Sequence, residues 1–147
     1  MAAVRNASAT WQGDLLSGSG RVSAETSAVF ADLPLTWKAR TEASDGLTSP
    51  EELLAAAHAA CFSMASSNEL SKAGFVPQLM EVSAAVSADK TEAGWTVNSS
   101  ALTLRARVSG VDEATFRQAV EAARDGCPIS RAISGSVHIT LDATLED

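Results

Sequence analysis

Two cysteines and two histidines are the softest titratable groups in this sequence, and three of the four sit where chemistry is conceivable. Cys61 lies in AAAHAACFSMASS, a run of small helix-forming residues, with His58 three positions earlier on the same helical face. A Cys–His pair can generate a thiolate, and Ala57, Ala60, Ser63 and Ala65 leave room beside the sulfur for a substrate. The same residues also allow a plainer reading, in which Cys61 packs as a small hydrophobe and His58 is a hydrogen-bonded packing residue. Cys127 stands between the helix-stopping Gly126 and the helix-starting Pro128, near a helix N-terminus whose dipole favours a thiolate. It too could simply be a buried cap-region cysteine. No CxxC or HxxxH occurs, so the four residues do not form a metal-binding pattern.

The elements that must position these groups are well punctuated. Residues 8–12, 20–30 and 33–42 read as three short strands separated by Gly, Ser, Asp and Pro. Ser49, Pro50 and Glu52 then open a helix as N-cap, first residue and closing member of a capping box. Gly74 ends it after Lys72, which predicts a helix over about 50–73, roughly 35 Å long. Leu53, Ala57, Ala60 or Cys61, Met64 and Asn68 or Leu70 trace its stripe, yet Ala55, Ala56 and Ala59 make most of the remaining surface apolar as well. Such a helix wants to be buried on every side, which one small domain cannot supply, so part of its surface is expected to be covered by a second copy of the chain.

Leu79–Asp89 and Trp95–Val108 alternate with a period of two around KTEAG and predict a hairpin. A helix follows from Asp112 to Gly126, then a short one from Pro128 to Ile133. A last strand places Val137, Ile139, Leu141 and Ala143 on one face and His138, Thr140 and Asp142 on the other. The order predicts an α+β fold with antiparallel sheets packed on a central helix, in a single domain over residues 1–147.

With 147 residues of which 46% are hydrophobic, the chain can bury one core without disulfides or metals as staples. A net charge of −7 argues against nucleic acid, which demands clustered Lys and Arg. No stretch approaches a membrane span, and MAAVRNASATW lacks the apolar core of a signal peptide. A cytoplasmic location is therefore expected, where a pair of thiols is catalytic or redox-sensing rather than structural.

Three segments together, SPEELLAAAHAACFSMA, LTLRARVSGVDEATFRQAVEAA and DGCPISRAI, resemble the OsmC/Ohr family, specifically its OsmC branch. The likeness covers nearly the whole chain. It implies an intertwined α+β homodimer with its long helices in the middle. It also implies a cysteine-based peroxidase that reduces organic hydroperoxides, and hydrogen peroxide less well, without metal or prosthetic group. By the same resemblance Cys61 matches the peroxidatic cysteine, Cys127 the resolving one, Arg40 the arginine supplied from the third strand and Glu51 the first acid of the family's NPEE segment. Here Ser49 replaces the usual Asn, and both cap helices well. His58 occupies the position where the OsmC branch tends to carry His and the Ohr branch Tyr, and with Phe62 it is expected to contact substrate.

The chemistry sets its own demand. A thiolate must attack one peroxide oxygen, giving a sulfenic acid on Cys61 that Cys127 converts to a disulfide, and an external dithiol, dihydrolipoyl in Ohr members, must reopen it. Burial raises a thiol pKa, so a cation has to offset it. Arg40 is the candidate and Arg21 the alternate. Glu51 should hold the Arg40 fork rather than face the sulfur. Ten residues separate Glu51 from Cys61, roughly 15 Å along one helix, so an active site would combine residues of two subunits. Two other readings use the same residues: a non-enzymatic thiol redox sensor, and a stress protein binding a small apolar ligand.

Overall fold

A computed structural model describes residues 1–146. The chain divides into two compact units, Met1–Leu53 and Leu54–Asp147.

In the first unit β1 (Ala7–Gln12), β2 (Ser19–Ala24) and β3 (Leu33–Leu35) form an antiparallel sheet in that order. The β1–β2 connection is closed by Asp14, whose carboxylate accepts from the N–H groups of Leu16 and Ser17 at 2.9 and 3.0 Å. Gly20 pairs with Trp11 across the sheet, and a Cβ there would come within 2.7 Å of the indole, so only glycine lets that ring lie on the strand. The expected third strand over 33–42 stops at Leu35. Thr36 accepts from the Ala39 N–H at 3.1 Å and starts a short helix, α1 (Trp37–Thr41), so Arg40 is helical rather than extended. A run of five residues satisfies either period, and the cap decides. The run over 20–30 likewise ends at Ala24, where the chain bends and Ala28 adopts φ 52°.

The long helix α2 (Pro50–Lys72) begins where its punctuation predicts: the Ser49 hydroxyl accepts from the Glu52 N–H at 3.2 Å, and the Glu52 carboxylate takes a hydrogen bond from Thr48. In the second unit, β4 (Leu79–Thr91) pairs antiparallel with β5 (Gly94–Arg107), with a register shift at Ser87/Ala88. The chain then runs through α3 (Glu113–Gly126) and α4 (Pro128–Ile133) to β6 (His138–Glu146). β6 pairs with β5 in parallel, which corrects the expectation of purely antiparallel sheets. Two intervening helices form a crossover that returns the chain in its original direction.

Phe62 and Leu70 of α2, Leu102, Leu104 and Ala106 of β5, Phe116, Val120 and Ala123 of α3, and Cys127 make the core of the second unit. α2 buries His58, Phe62, Ser66 and Leu70, which recur every four residues along a single face. Ala57, Ala60, Met64 and Asn68 of the expected stripe are exposed, Met64 at 67%. One copy of the chain thus covers half of this helix and leaves its other apolar half open. Phe62 has no accessible surface. Phe62→Ala is accordingly expected to lower unfolding stability by about 3–5 kcal/mol, read by urea denaturation. A change in peroxide kinetics without loss of stability would instead make it a substrate contact.

Candidate active site

The two sulfurs meet in the second unit. Cys61 is carried by the middle of α2. Cys127 terminates α3, donating its N–H to the Ala123 carbonyl at 2.8 Å, and caps α4, whose first residue is Pro128. Both are free, and a hydrogen bond joins their Sγ atoms at 3.0 Å. That is about 1 Å longer than a disulfide, so a small side-chain movement suffices to form one. Cys127 is fully buried and Cys61 half-buried, which leaves Cys61 as the more accessible sulfur.

Their electrostatics differ. Burial pushes the Cys61 thiol above its ordinary value, the neighbouring Cys127 pushes it further, and the Ile129 N–H offsets only part of this. Burial acts on Cys127 too, but there the Ser130 N–H, Cys61, the Ser130 hydroxyl and the Ile129 N–H together hold it below its ordinary value. Of the two sulfurs Cys127 therefore gives up its proton more readily than Cys61.

His58 lies one turn before Cys61 with no accessible surface. Its Nδ1 pairs with the Ser100 hydroxyl of β5 at 2.7 Å and its Nε2 with the Ser130 hydroxyl of α4 at 2.8 Å. Burial lowers its pKa, so the ring is neutral at pH 7. Thus His58 ties α2 to the sheet and to the turn bearing Cys127, and both His58 and Phe62 are interior residues in this chain, presenting no surface to a substrate.

Arg40 and Glu51 come together in the first unit. The guanidinium donates through Nε at 3.1 and 3.2 Å to the two Glu51 oxygens and through Nη2 at 2.7 Å to Oε1, while its Cζ stands 5.5 Å from the Trp37 ring centroid. The carboxylate fixes one edge of the fork. Beside it opens a cavity of about 280 Å³ lined by Trp11, Leu15, Leu35, Trp37, Arg40 and Pro50 among others, apolar apart from the guanidinium and threonine hydroxyls. Arg21, the alternate cation, lies on β2 and donates to the Asp32 carbonyl at 3.0 Å.

Comparison with known proteins turns this arrangement into a family assignment. Residues 43–142 match the OsmC family, described as OsmC-like protein. The chain is 44% identical to peroxiredoxin OsmC of Escherichia coli (strain K12) over 138 residues, covering 94% of each. This chain belongs to the OsmC family. It is also 31% identical to organic hydroperoxide resistance protein OhrA of Bacillus subtilis (strain 168) over 125 residues, 84% of this chain and 86% of that one. Its fold matches the crystal structure of OhrB from Bacillus subtilis with a TM-score of 0.71 at 26% identity, over 95% of this chain and 98% of that one.

The residues singled out in the sequence come together as two separate pairs, Cys61 with Cys127 and Arg40 with Glu51, and the partners of His58, Ser100 and Ser130, are not among them. Each is a serine facing a core from a β-strand or helix, and a buried histidine demanding two partners was the available signal. Among the described residues no group of three or more His, Cys, Asp or Glu side chains could hold a metal, and no helix is long and apolar enough to cross a membrane.

The buried neutral ring has a consequence for stability. Below pH 6.5 the unfolded chain protonates His58 while the folded chain resists until its lower pKa is reached, so the unfolded state binds more protons and stability falls with pH. The loss is expected to reach up to about 1.4 kcal/mol per pH unit below that point, and a His58→Gln variant should show a flatter pH dependence in urea denaturation between pH 7 and 5. Equal slopes in the two proteins would mean that His58 becomes charged inside the fold.

Proposed function

We propose that this chain is a cysteine-based peroxidase that reduces organic hydroperoxides to alcohols. The observation that carries the reading is the pair of sulfurs 3.0 Å apart, one buried and one approachable. Peroxiredoxin and organic hydroperoxide resistance relatives spanning most of the chain support it. With its proton passed to the neighbouring Cys127 sulfur, Cys61 attacks the distal peroxide oxygen, the O–O bond breaks to leave Cys61 sulfenic acid, and the departing alkoxide takes the proton back from Cys127 and leaves as the alcohol. Cys127 then attacks the sulfenic sulfur, water leaves, and a disulfide forms. An external dithiol returns both thiols, with no bound cofactor, in a reducing compartment such as the cytoplasm.

The Arg40–Glu51 fork supplies the missing cation. Its apolar cavity suits the organic part of a hydroperoxide, and the free edge of the guanidinium suits the peroxide oxygens. Since Glu51 and Cys61 stand roughly 15 Å apart along α2, the fork of one chain serves the sulfurs of a second copy in a homodimer. The open α2 face of Ala56, Ala57, Ala60 and Met64 is the surface such a copy would cover.

Stopped-flow oxidation of the reduced protein tests the chemistry. Oxidation by cumene hydroperoxide should be faster than by hydrogen peroxide and lost in Cys61→Ser, and Cys127→Ser should accumulate sulfenic acid. Ordinary thiol rates in the unmodified protein would refute the reading. Arg40→Ala should slow the first step roughly tenfold or more. Mixing Arg40→Ala chains with Cys61→Ser chains should restore activity, because each mixed dimer contains one intact combination. No restoration after subunit exchange would place Arg40 and Cys61 of a working site in one chain.

A further inference from the structure

Trp11, Gly20 and Leu35 are direct cross-strand partners in β1, β2 and β3, so they stand in one row on one face of the first sheet. The middle member has no side chain, and the Trp11 indole lies across the gap. A Cβ on Gly20 would come within 2.7 Å of Cε3 in the six-membered ring, and one on Gly18 within 2.9 Å of Nε1, so both ends of the ring system rest against β2. The indole N–H is tied to the Gly13 carbonyl at 3.2 Å. Gly20 is buried beneath the ring, yet 43% of Trp11 itself remains exposed. The strand thus holds a large aromatic ring in one orientation and leaves much of its surface uncovered.

That surface borders the cavity of about 280 Å³ beside Arg40, which Leu35 of the same row, Leu15 and Trp37 also line. Two of the three tryptophans in the sequence therefore face one space. Its volume falls at the lower end of small-molecule sites, which suits one ring with short substituents better than a long chain. We propose that Trp11 is a specificity-determining residue that makes this cavity select hydroperoxides bearing a compact aromatic group. The inference rests on the peroxidase reading for the reaction and adds to it the class of the organic part. An aryl ring gains stacking or edge-to-face contact with an indole that a saturated ring of the same size does not. Because the indole is already fixed by Gly18, Gly20 and the Gly13 carbonyl, little side-chain freedom is lost when the contact forms. With the aryl group on the indole, the polar end of such a molecule is left for the Arg40 guanidinium on the same wall.

Two measurements on the whole protein test this. In stopped-flow oxidation, cumene hydroperoxide is compared with its ring-saturated counterpart, and the ratio of rates is divided by the same ratio for free cysteine. The corrected ratio should exceed one in the unmodified protein, fall about fivefold or more in Trp11→Ala, and be largely kept in Trp11→Phe. A corrected ratio near one, a ratio untouched by Trp11→Ala, or faster oxidation by a long-chain fatty-acid hydroperoxide than by cumene hydroperoxide would overturn the inference. The second measurement uses no peroxide. In isotope-labelled protein the indole N–H signal of Trp11 should shift saturably with cumyl alcohol, the product of cumene hydroperoxide, while Trp95, which does not line the cavity, serves as reference. The ring-saturated alcohol should bind about threefold more weakly or worse. Equal affinity for the two alcohols, or no saturable shift at Trp11, would overturn the inference whatever the oxidation rates. Saturable, aryl-selective binding in a protein that oxidises only at ordinary thiol rates would uphold the aryl site and refute the peroxidase reading, so the two failures are told apart.

Discussion

Two sulfurs 3.0 Å apart in an apolar interior can carry one negative charge between them far more readily than two. Much of the second unit can be read as the means of bringing these sulfurs together and deciding which of them is charged. α2 supplies one, at a position where small neighbours leave it half-open. The break between α3 and α4 supplies the other, because Gly126 and Pro128 end one helix and begin the next around Cys127. The break also sets Cys127 at the start of α4, where the helix dipole favours a charged sulfur.

That solution leaves Cys61 with the harder task. Its surroundings raise its pKa, and the groups acting on it are another sulfur and one peptide N–H. The cation proposed to offset this belongs to the first unit, where Glu51 and the Trp37 ring orient Arg40 beside an apolar cavity. The open apolar half of α2 gives the homodimer reading its physical motive: a second copy would bury that face and could bring a fork to the sulfurs in one association.

How much of this was legible beforehand followed the range of the interactions. The α2 start was readable because Ser49, Pro50 and Glu52 act within one turn, and the break at Cys127 because Gly126 and Pro128 flank it directly. The β4–β5 hairpin showed a clear period of two. The Arg40 segment was misread as strand, since over five residues a helix and a strand differ by one capping bond from Thr36. The direction of β6 was not legible either, as its alternation is the same in a parallel and an antiparallel pair. For α2 the apolar surface was evident, but which half faced the chain's own core was not. Alanine, serine and cysteine on all sides carry too little contrast to mark a face, and the buried line turned out to run through His58 and Ser66. Ser100 lies 42 residues from His58 and Ser130 lies 72 away, separations at which no local pattern operates.

The two sulfurs are served by different kinds of group, and the difference suits their parts in the proposed cycle. A guanidinium carries a full charge that no nearby event removes, which fits a centre that must become a thiolate in the presence of substrate. Cys127 must instead hold charge at one stage, accept a proton at another, and attack a sulfenic acid at a third. A cation pinned against it would deepen the thiolate and blunt its nucleophilicity, which falls as thiol pKa falls. The dipole at a helix start favours a thiolate without a fixed full charge beside it. Dipoles at the buried sulfur and a charge for the approachable one therefore divide the work in a way that a single arginine between them could not.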